Sequence, residues 1–416
     1  MRLEDQVSSL SGLPKFSRIP PGASMSVLPK LVLFKSVGLA LALTGWPALT
    51  LTSSGFRSDA LHSGTFDGPG VPALHGVKWK FKTSGPIRST PVPYGNLVIF
   101  GSGDGFVYAL RSDNGALVWK VQTGGDVASS PLVVDGTVYF TSRDGFLYAV
   151  QAQSGATQWK ARYDRDSKAK DAWDYYLSSP VADSQAVYVG SSTGITPMQD
   201  GGLLAFTRNS GRLLWSQELF QGVRSSPALR GDVLYVGAWK FDFVALNAQT
   251  GKLLWSADIS GGVPSSPVLG KNMVYFGSRD SNFYALDSKS GKIRWGHGNG
   301  GSWVVPSAAF ANNTLYYGNS DQKMMFAMDA ATGKVKWQRP LAGNIFASPA
   351  LAANTVYTAS FNAYATKEPG TLYALDVATG KERWHFQAGA AILSSPVIVR
   401  DTVFFGSDDG ILYALH

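Results

Sequence analysis

SSPALRGDVLYVGAWKFDFVALNAQTGKLLW, residues 225–255, returns as SSPVLGKNMVYFGSRDSNFYALDSKSGKIRW at 265–295 and occurs earlier as SSPLVVDGTVYFTSRDGFLYAVQAQSGATQW at 129–159. Each copy ends in tryptophan. Eight such residues, Trp79, Trp119, Trp159, Trp215, Trp255, Trp295, Trp337 and Trp384, follow one another at steps of 40, 40, 56, 40, 40, 42 and 47 residues. From Trp119 onward each stands four residues after a glycine (Gly115, Gly155, Gly211, Gly251, Gly291, Gly333, Gly380). A fixed period of about 20–50 residues is the signature of a repeat architecture. The distance from the unit's proline to its next small residue holds as well: Pro91–Gly101, Pro131–Thr141, Pro180–Gly190, Pro227–Gly237, Pro267–Gly277, Ala308–Gly318, Pro349–Ala359 and Pro396–Gly406. That makes eight units.

Within a unit the pattern is that of four short strands. The first follows Ser-Ser-Pro, and the second is a β-branched and aromatic run such as Val233-Leu234-Tyr235-Val236. An Asp-Gly turn (Asp104-Gly105, Asp144-Gly145, Asp409-Gly410) suits a tight hairpin into the third strand, Tyr-Ala-Leu-Asp at 284–287 and 373–376. A Thr-Gly or Ser-Gly turn leads to the fourth strand and its tryptophan. Four-stranded units of about 42 residues are propeller blades, so the expected fold is an all-β, eight-bladed β-propeller. The last unit stops at Tyr413-Ala414-Leu415-His416 without a fourth strand, while Gly76-Val77-Lys78-Trp79-Lys80-Phe81 is a fourth strand without a unit. The N-terminal strand is therefore expected to complete the C-terminal blade and close the ring. The tryptophans are expected to wedge between blades as core staples, where a buried aromatic covers about 150–250 Å².

The front of the chain differs. Residues 37–51, VGLALALTGWPALTL, carry no charge, follow Lys30 and Lys35, and precede Thr52-Ser53-Ser54. A basic region, an apolar core and small residues in that order form an export signal, and 15 residues fall short of the about 20 needed to span a bilayer. We assign residues 1–52 to the signal region, with Met25 as the expected start, 53–74 to a linker and 75–416 to the propeller. The protein is expected to be exported, periplasmic or envelope-located, peripheral to the membrane at most, and monomeric.

The 416 residues would suffice for two or three domains, but the repeat favours one closed body. With no cysteine, the sequence carries no disulfide, thiolate metal site, lipobox or cysteine nucleophile, so it is not a lipoprotein. The formal charge of +8 falls to +5 without residues 1–52, and the remaining Lys and Arg are scattered, which gives no nucleic-acid groove.

The Tyr-Ala-Leu-Asp-x-x-Thr-Gly-x-x-x-Trp frame over Gly76–His416 resembles the repeat of quinoprotein dehydrogenases and their non-enzymatic relatives. Among these, the BamB family of outer-membrane assembly factors is similar in length, blade count and export signal. That resemblance implies a non-catalytic scaffold whose partners are envelope or outer-membrane assembly proteins, with no cofactor. The quinoprotein alternative implies pyrroloquinoline quinone near the axis with Ca²⁺ and an Asp base. The chain lacks those enzymes' neighbouring cysteines and the long insertions that roof their site. WD-repeat propellers are a poorer match, since no unit ends in Trp-Asp.

No catalytic residue or metal ligand is assigned. The five histidines (His62, His75, His297, His385, His416) are dispersed, without the convergence that a metal site or a Ser-His-Asp triad needs. In the insertion YDRDSKAKDAWDYY (163–176), Lys168 and Lys170 interrupt the acidic run and no glycine follows, which is unlike a Ca²⁺ loop. Two more insertions, 192–201 and 361–370, are places where binding residues collect on a rigid ring. Three residues before the proline position the units read Arg88, Ala128, Leu177, Arg224, Pro264, Val305, Phe346 and Leu393. Arg88 and Arg224 are thus expected at the central funnel. With Trp173, Trp239, Lys240 and Trp303 they form the candidate interaction surface, of the aromatic and Arg-rich type that interfaces favour.

Overall fold

The structure is a computed structural model and describes residues 53–165, 177–196, 200–219, 221–239 and 242–416. The proposed signal in 1–52, and Trp173 and Lys240, lie outside the described residues. All regular structure described is β, and among the described residues no helix is long and apolar enough to cross a membrane. Eight antiparallel sheets form the eight blades of a β-propeller. Blade 1 comprises Val92–Tyr94, Leu97–Gly101, Phe106–Arg111 and Leu117–Gln122, and blade 4 repeats it as Ala228–Arg230, Val233–Gly237, Asp242–Asn247 and Leu253–Asp258. The eighth blade is closed as its ends require: Val77–Lys82 pairs antiparallel with Ile411–Leu415, with Trp79 opposite Ala414.

The strand pattern follows from where each strand sits. Second strands such as Leu97–Gly101 are buried throughout, because neighbouring blades cover both faces, and a strand so covered reads as a continuous apolar run. Fourth strands alternate, as in Leu117–Gln122, because only one face is covered. The core consequently lies between blades. Phe243 of blade 4 stacks on Phe276 of blade 5 with ring centroids 4.0 Å apart, and Phe283 of blade 5 on Tyr317 of blade 6 at 4.2 Å. The turn aspartates hold both their own hairpin and the preceding blade. Asp104 accepts from Phe106 N (3.1 Å) and Tyr108 Oη (2.8 Å), and from Ser84 N (3.0 Å).

Each tryptophan bridges to the next blade. Trp255 Nε1–H donates to Ser288 O at 3.1 Å, Trp119 to Ala152 O at 2.8 Å and Trp215 to Ala248 O at 2.9 Å. The glycine each ring covers is the next blade's, not the one four residues before it. Gly291 has φ +69° and a Cβ there would lie 2.5 Å from the Trp255 ring. Trp384 has no such glycine ahead of it, since blade 8 ends the chain, and donates instead to Val71 O at 2.7 Å. A Gly291→Ala substitution must both occupy a left-handed backbone and displace that ring. We expect it to cost about 1–3 kcal/mol, measured as a lowered midpoint of denaturant unfolding with native circular dichroism retained.

Residues 53–70, assigned above to a linker, are instead packed on the blades. Ser53–Ser54 pairs with Val133–Val134 of blade 2, and Thr65–Phe66 runs parallel to Leu351–Ala352 of blade 7. Between them, Leu229 N, Leu269 N, Phe310 N and Leu351 N of blades 4, 5, 6 and 7 donate to the carbonyls of Ala60, Leu61, Ser63 and Gly64 at 2.8–3.0 Å. Irregular sequence hid this strap, because its partners are backbone groups that any residue could meet.

Candidate functional site

The segments that lead into the innermost strands surround a narrow axial channel of about 40 Å³. All eight residues three before the proline position line it, Arg88 and Arg224 included. Two residues further along in each unit, just before the innermost strand, comes a second ring, Thr90, Ser130, Ser179, Ser226, Ser266, Ser307, Ser348 and Ser395, also lining the channel. These residues link the blades around the axis. Thr90 N donates to Ser130 Oγ (3.1 Å), Ser130 N to Ser179 Oγ (2.9 Å), Ser179 N to Ser226 Oγ (3.0 Å), and Ser226 N to Ser266 Oγ (2.8 Å). The chain of bonds continues from Ser266 N to Ser307 Oγ, Ser307 N to Ser348 Oγ and Ser348 N to Ser395 Oγ at 2.9–3.1 Å. The sequence carried the signal, a hydroxyl before every proline position, but its meaning is inter-blade and cannot be seen within one unit.

Beyond the serine ring the strap forms the channel floor with Phe56. Arg57 is buried and its guanidinium donates to Pro349 O and Ala308 O. Burial lowers its pKa to about 9, opposed by the field of Asp59, so it stays charged at neutral pH. His62 Nδ1 meets Pro267 O at 3.0 Å, with Phe56 edge-on at 5.2 Å. Burial is the main cause that pushes its pKa down to about 4, so the imidazole is neutral.

At the opposite end, the mouth, Arg88 makes a two-pronged ion pair with Asp408, Nε to Oδ1 at 3.0 Å and Nη2 to Oδ2 at 2.8 Å. Across the ring a ladder of alternating cations and indoles runs over blades 4 to 6. The Arg224 and Arg279 guanidinium groups each lie 4.3 Å from the Trp239 ring centre, and Arg279 also lies 4.5 Å from that of Trp303. All four residues are half-buried. Arg279 escaped the sequence analysis, although it occupies in blade 5 the unit position that Trp239 holds in blade 4. Trp303 continues into a hollow of about 310 Å³ with Asp321, Phe346 and Tyr364 on its walls. Tyr364, from the third insertion, is 81% exposed.

The remaining candidates are structural where described. Asp164 is buried and accepts from Ser192 N at 2.7 Å and from the Thr193 hydroxyl, which ties the first insertion to the second. His385 Nδ1 meets Glu382 at 2.7 Å on the surface. Among the described residues no three His, Asp or Glu side chains converge as metal ligands.

Eight blades closed on the N-terminal strand, inter-blade tryptophans and a serine-lined axis define a quinoprotein-type repeat propeller. The chain belongs to the family described as outer membrane protein assembly factor BamB, which matches residues 76–198, 199–366 and 347–416. No curated protein matches it. Among solved structures it is similar to the quinohemoprotein alcohol dehydrogenase of Pseudomonas putida HK5, with TM-score 0.71, 15% identity, and 87% of this chain and 79% of that one covered. It is also similar to BamB from Moraxella catarrhalis, with TM-score 0.65, 15% identity and coverage of 83% and 98%. The computationally designed Ika8 protein gives TM-score 0.67, 17% identity and coverage of 80% and 97%. At such identities the likeness is one of fold.

Proposed function

We propose that this protein is an exported, non-catalytic propeller scaffold that binds other envelope proteins, as an outer-membrane assembly factor does. The Arg224–Trp239–Arg279–Trp303 ladder at the channel mouth carries this reading. Trp and Arg are the residues in which binding energy concentrates at interfaces, and here they stack on one another at the channel mouth. Family membership supports it. The channel lining does not fit a calcium-held quinone. Among the described residues it presents two arginines, hydroxyls and apolar side chains, and the nearby Asp408 is taken up by Arg88, whereas Ca²⁺ takes oxygen ligands, carboxylates foremost.

The test is capture of outer-membrane assembly proteins from envelope extracts by the full chain. Replacing Trp239 and Trp303 together by Ala is expected to weaken capture about tenfold or more while the unfolding midpoint stays near wild type. Undiminished capture by that variant would move the partner surface elsewhere. Saturable one-to-one binding of pyrroloquinoline quinone with Ca²⁺, followed by absorbance, would overturn the non-catalytic assignment.

A further inference from the structure

We propose that the face of the ring opposite the channel mouth docks on an anionic lipid surface, through the outer rim of blades 3 to 6. In a four-stranded meander the turns after the first and third strands lie at one end of the sheet, and the turn after the second at the other. Trp239 and Arg279 of the mouth stand in second turns, whereas the strap crosses the first strands at their far end and marks the opposite face. Among the described residues, the exposed large apolar side chains other than Tyr364 all occupy the first or second position of a fourth strand, just after the third turn. Blades 3 and 4 fill both positions with leucine, Leu213-Leu214 and Leu253-Leu254, the second pair 53% and 51% exposed. Single apolar residues on a surface are ordinary. These recur at one level of one rim, and each run is preceded by a cation: Arg212, Lys252, Lys292 and Lys334 in blades 3 to 6.

The rim is basic as well as apolar. The first turns of these blades (183–185, 230–232, 270–272 and 311–313), together with the third turns and the two residues after each (207–214, 247–254, 287–294 and 329–336), hold ten Lys or Arg against four Asp. Two of those aspartates are engaged within their own blades: Asp287 pairs with Arg294 at 2.8 Å, and Asp329 faces Lys336 at 4.0 Å. In blades 3 and 4 the equivalent position is Thr207 or Asn247. Arg212, Lys252, Lys292 and Lys334 are exposed, and among the described residues none of them forms an ion pair or a side-chain hydrogen bond. Cations beside short aliphatic side chains suit an anionic surface that accepts shallow apolar insertion. A protein partner would favour one central anchor cluster, whereas the same pairing at four places round a rim matches a surface that is uniform along its plane. Docked in this way, the protein turns its mouth away from the lipid and leaves it open to a protein partner.

The experiment is co-sedimentation of the full chain with phosphatidylcholine vesicles and with vesicles in which about one third of the lipid is phosphatidylglycerol. Binding is expected to the anionic vesicles and should fall as ionic strength rises. Lys252→Gln with Lys292→Gln should lower the partition about 25-fold, at about fivefold for each basic residue lost near the surface, with the unfolding midpoint unchanged. Residues 37–51 are themselves apolar, so the docked face is read separately, from a polarity-sensitive fluorescent label on a single introduced cysteine in this cysteine-free chain. The label should blue-shift on anionic vesicles at Leu254→Cys and stay unchanged at Tyr364→Cys on the mouth side. The Trp239→Ala, Trp303→Ala variant should bind vesicles as the wild type does, so failure of the lipid proposal leaves the reading of the mouth standing. Equal binding to both kinds of vesicle, a partition unchanged by the two lysine substitutions, or a shift at Leu254→Cys no larger than at Tyr364→Cys would each overturn the proposal.

Discussion

Acidification from pH 6.5 to 4 is expected to remove about 3 kcal/mol of folded-state stability through His62 alone. The neutral ring is buried in the strap, bonded to Pro267 O and flanked by Phe56. Burial is the main cause of its low pKa; Asp59 and the carbonyl pull it back up, and Arg57 pushes it down. The folded pKa of about 4 lies below the ordinary 6.5, so between those values the unfolded chain binds the extra proton. The contribution is therefore complete above pH 6.5 and is lost as pH falls through the window to 4. Denaturant midpoints measured across that window should fall more steeply for the wild type than for His62→Gln, which cannot titrate. Because the strap's bonds to blades 4 to 7 are local, limited proteolysis within residues 53–70 should appear at acid pH before the blades unfold. Equal slopes for the two proteins would mean that His62 is not held neutral in the fold.

Features that recur in every unit were legible in the sequence, and relations between units were not. The Trp255 step, the Pro227–Gly237 spacing and the unpaired strand at Trp79 gave blade number, strand order and ring closure, because each is written along one stretch of chain. Arg88 and Arg224 were placed at the funnel by the same alignment, and they line it. By contrast, Ser179 bonds to Ser226, 47 residues away, and nothing in a single blade shows that link. Arg279 lies in a turn that carries no motif of its own; only its register with Trp239 places it against two indoles. The strap was least legible of all. Its own carbonyls accept hydrogen bonds from blade amides, and Arg57 and His62 answer blade carbonyls, so no hydrophobic period marks it.

Trp119→Ala is expected to cost about 3–5 kcal/mol, the range for emptying an aromatic core position. Its ring is 7% exposed and covers Gly155, where a Cβ would lie 3.0 Å from it. The substitution also strands Ala152 O, which accepts from the indole at 2.8 Å, and an unsatisfied buried acceptor adds to the cost. The neighbouring blade cannot collapse into the gap, because ring closure fixes its distance from the axis. Trp303→Ala is the contrasting case. That indole is half-buried at the mouth and carries the Arg279 cation 4.5 Å from its ring, an interaction worth about 1 kcal/mol. Unfolding midpoints should therefore separate the two tryptophans by several kcal/mol, with partner capture lost in the Trp303 variant while its fold persists. A large stability loss at Trp303 would instead make the mouth ladder a structural brace, and the partner surface would then have to be sought among the insertions.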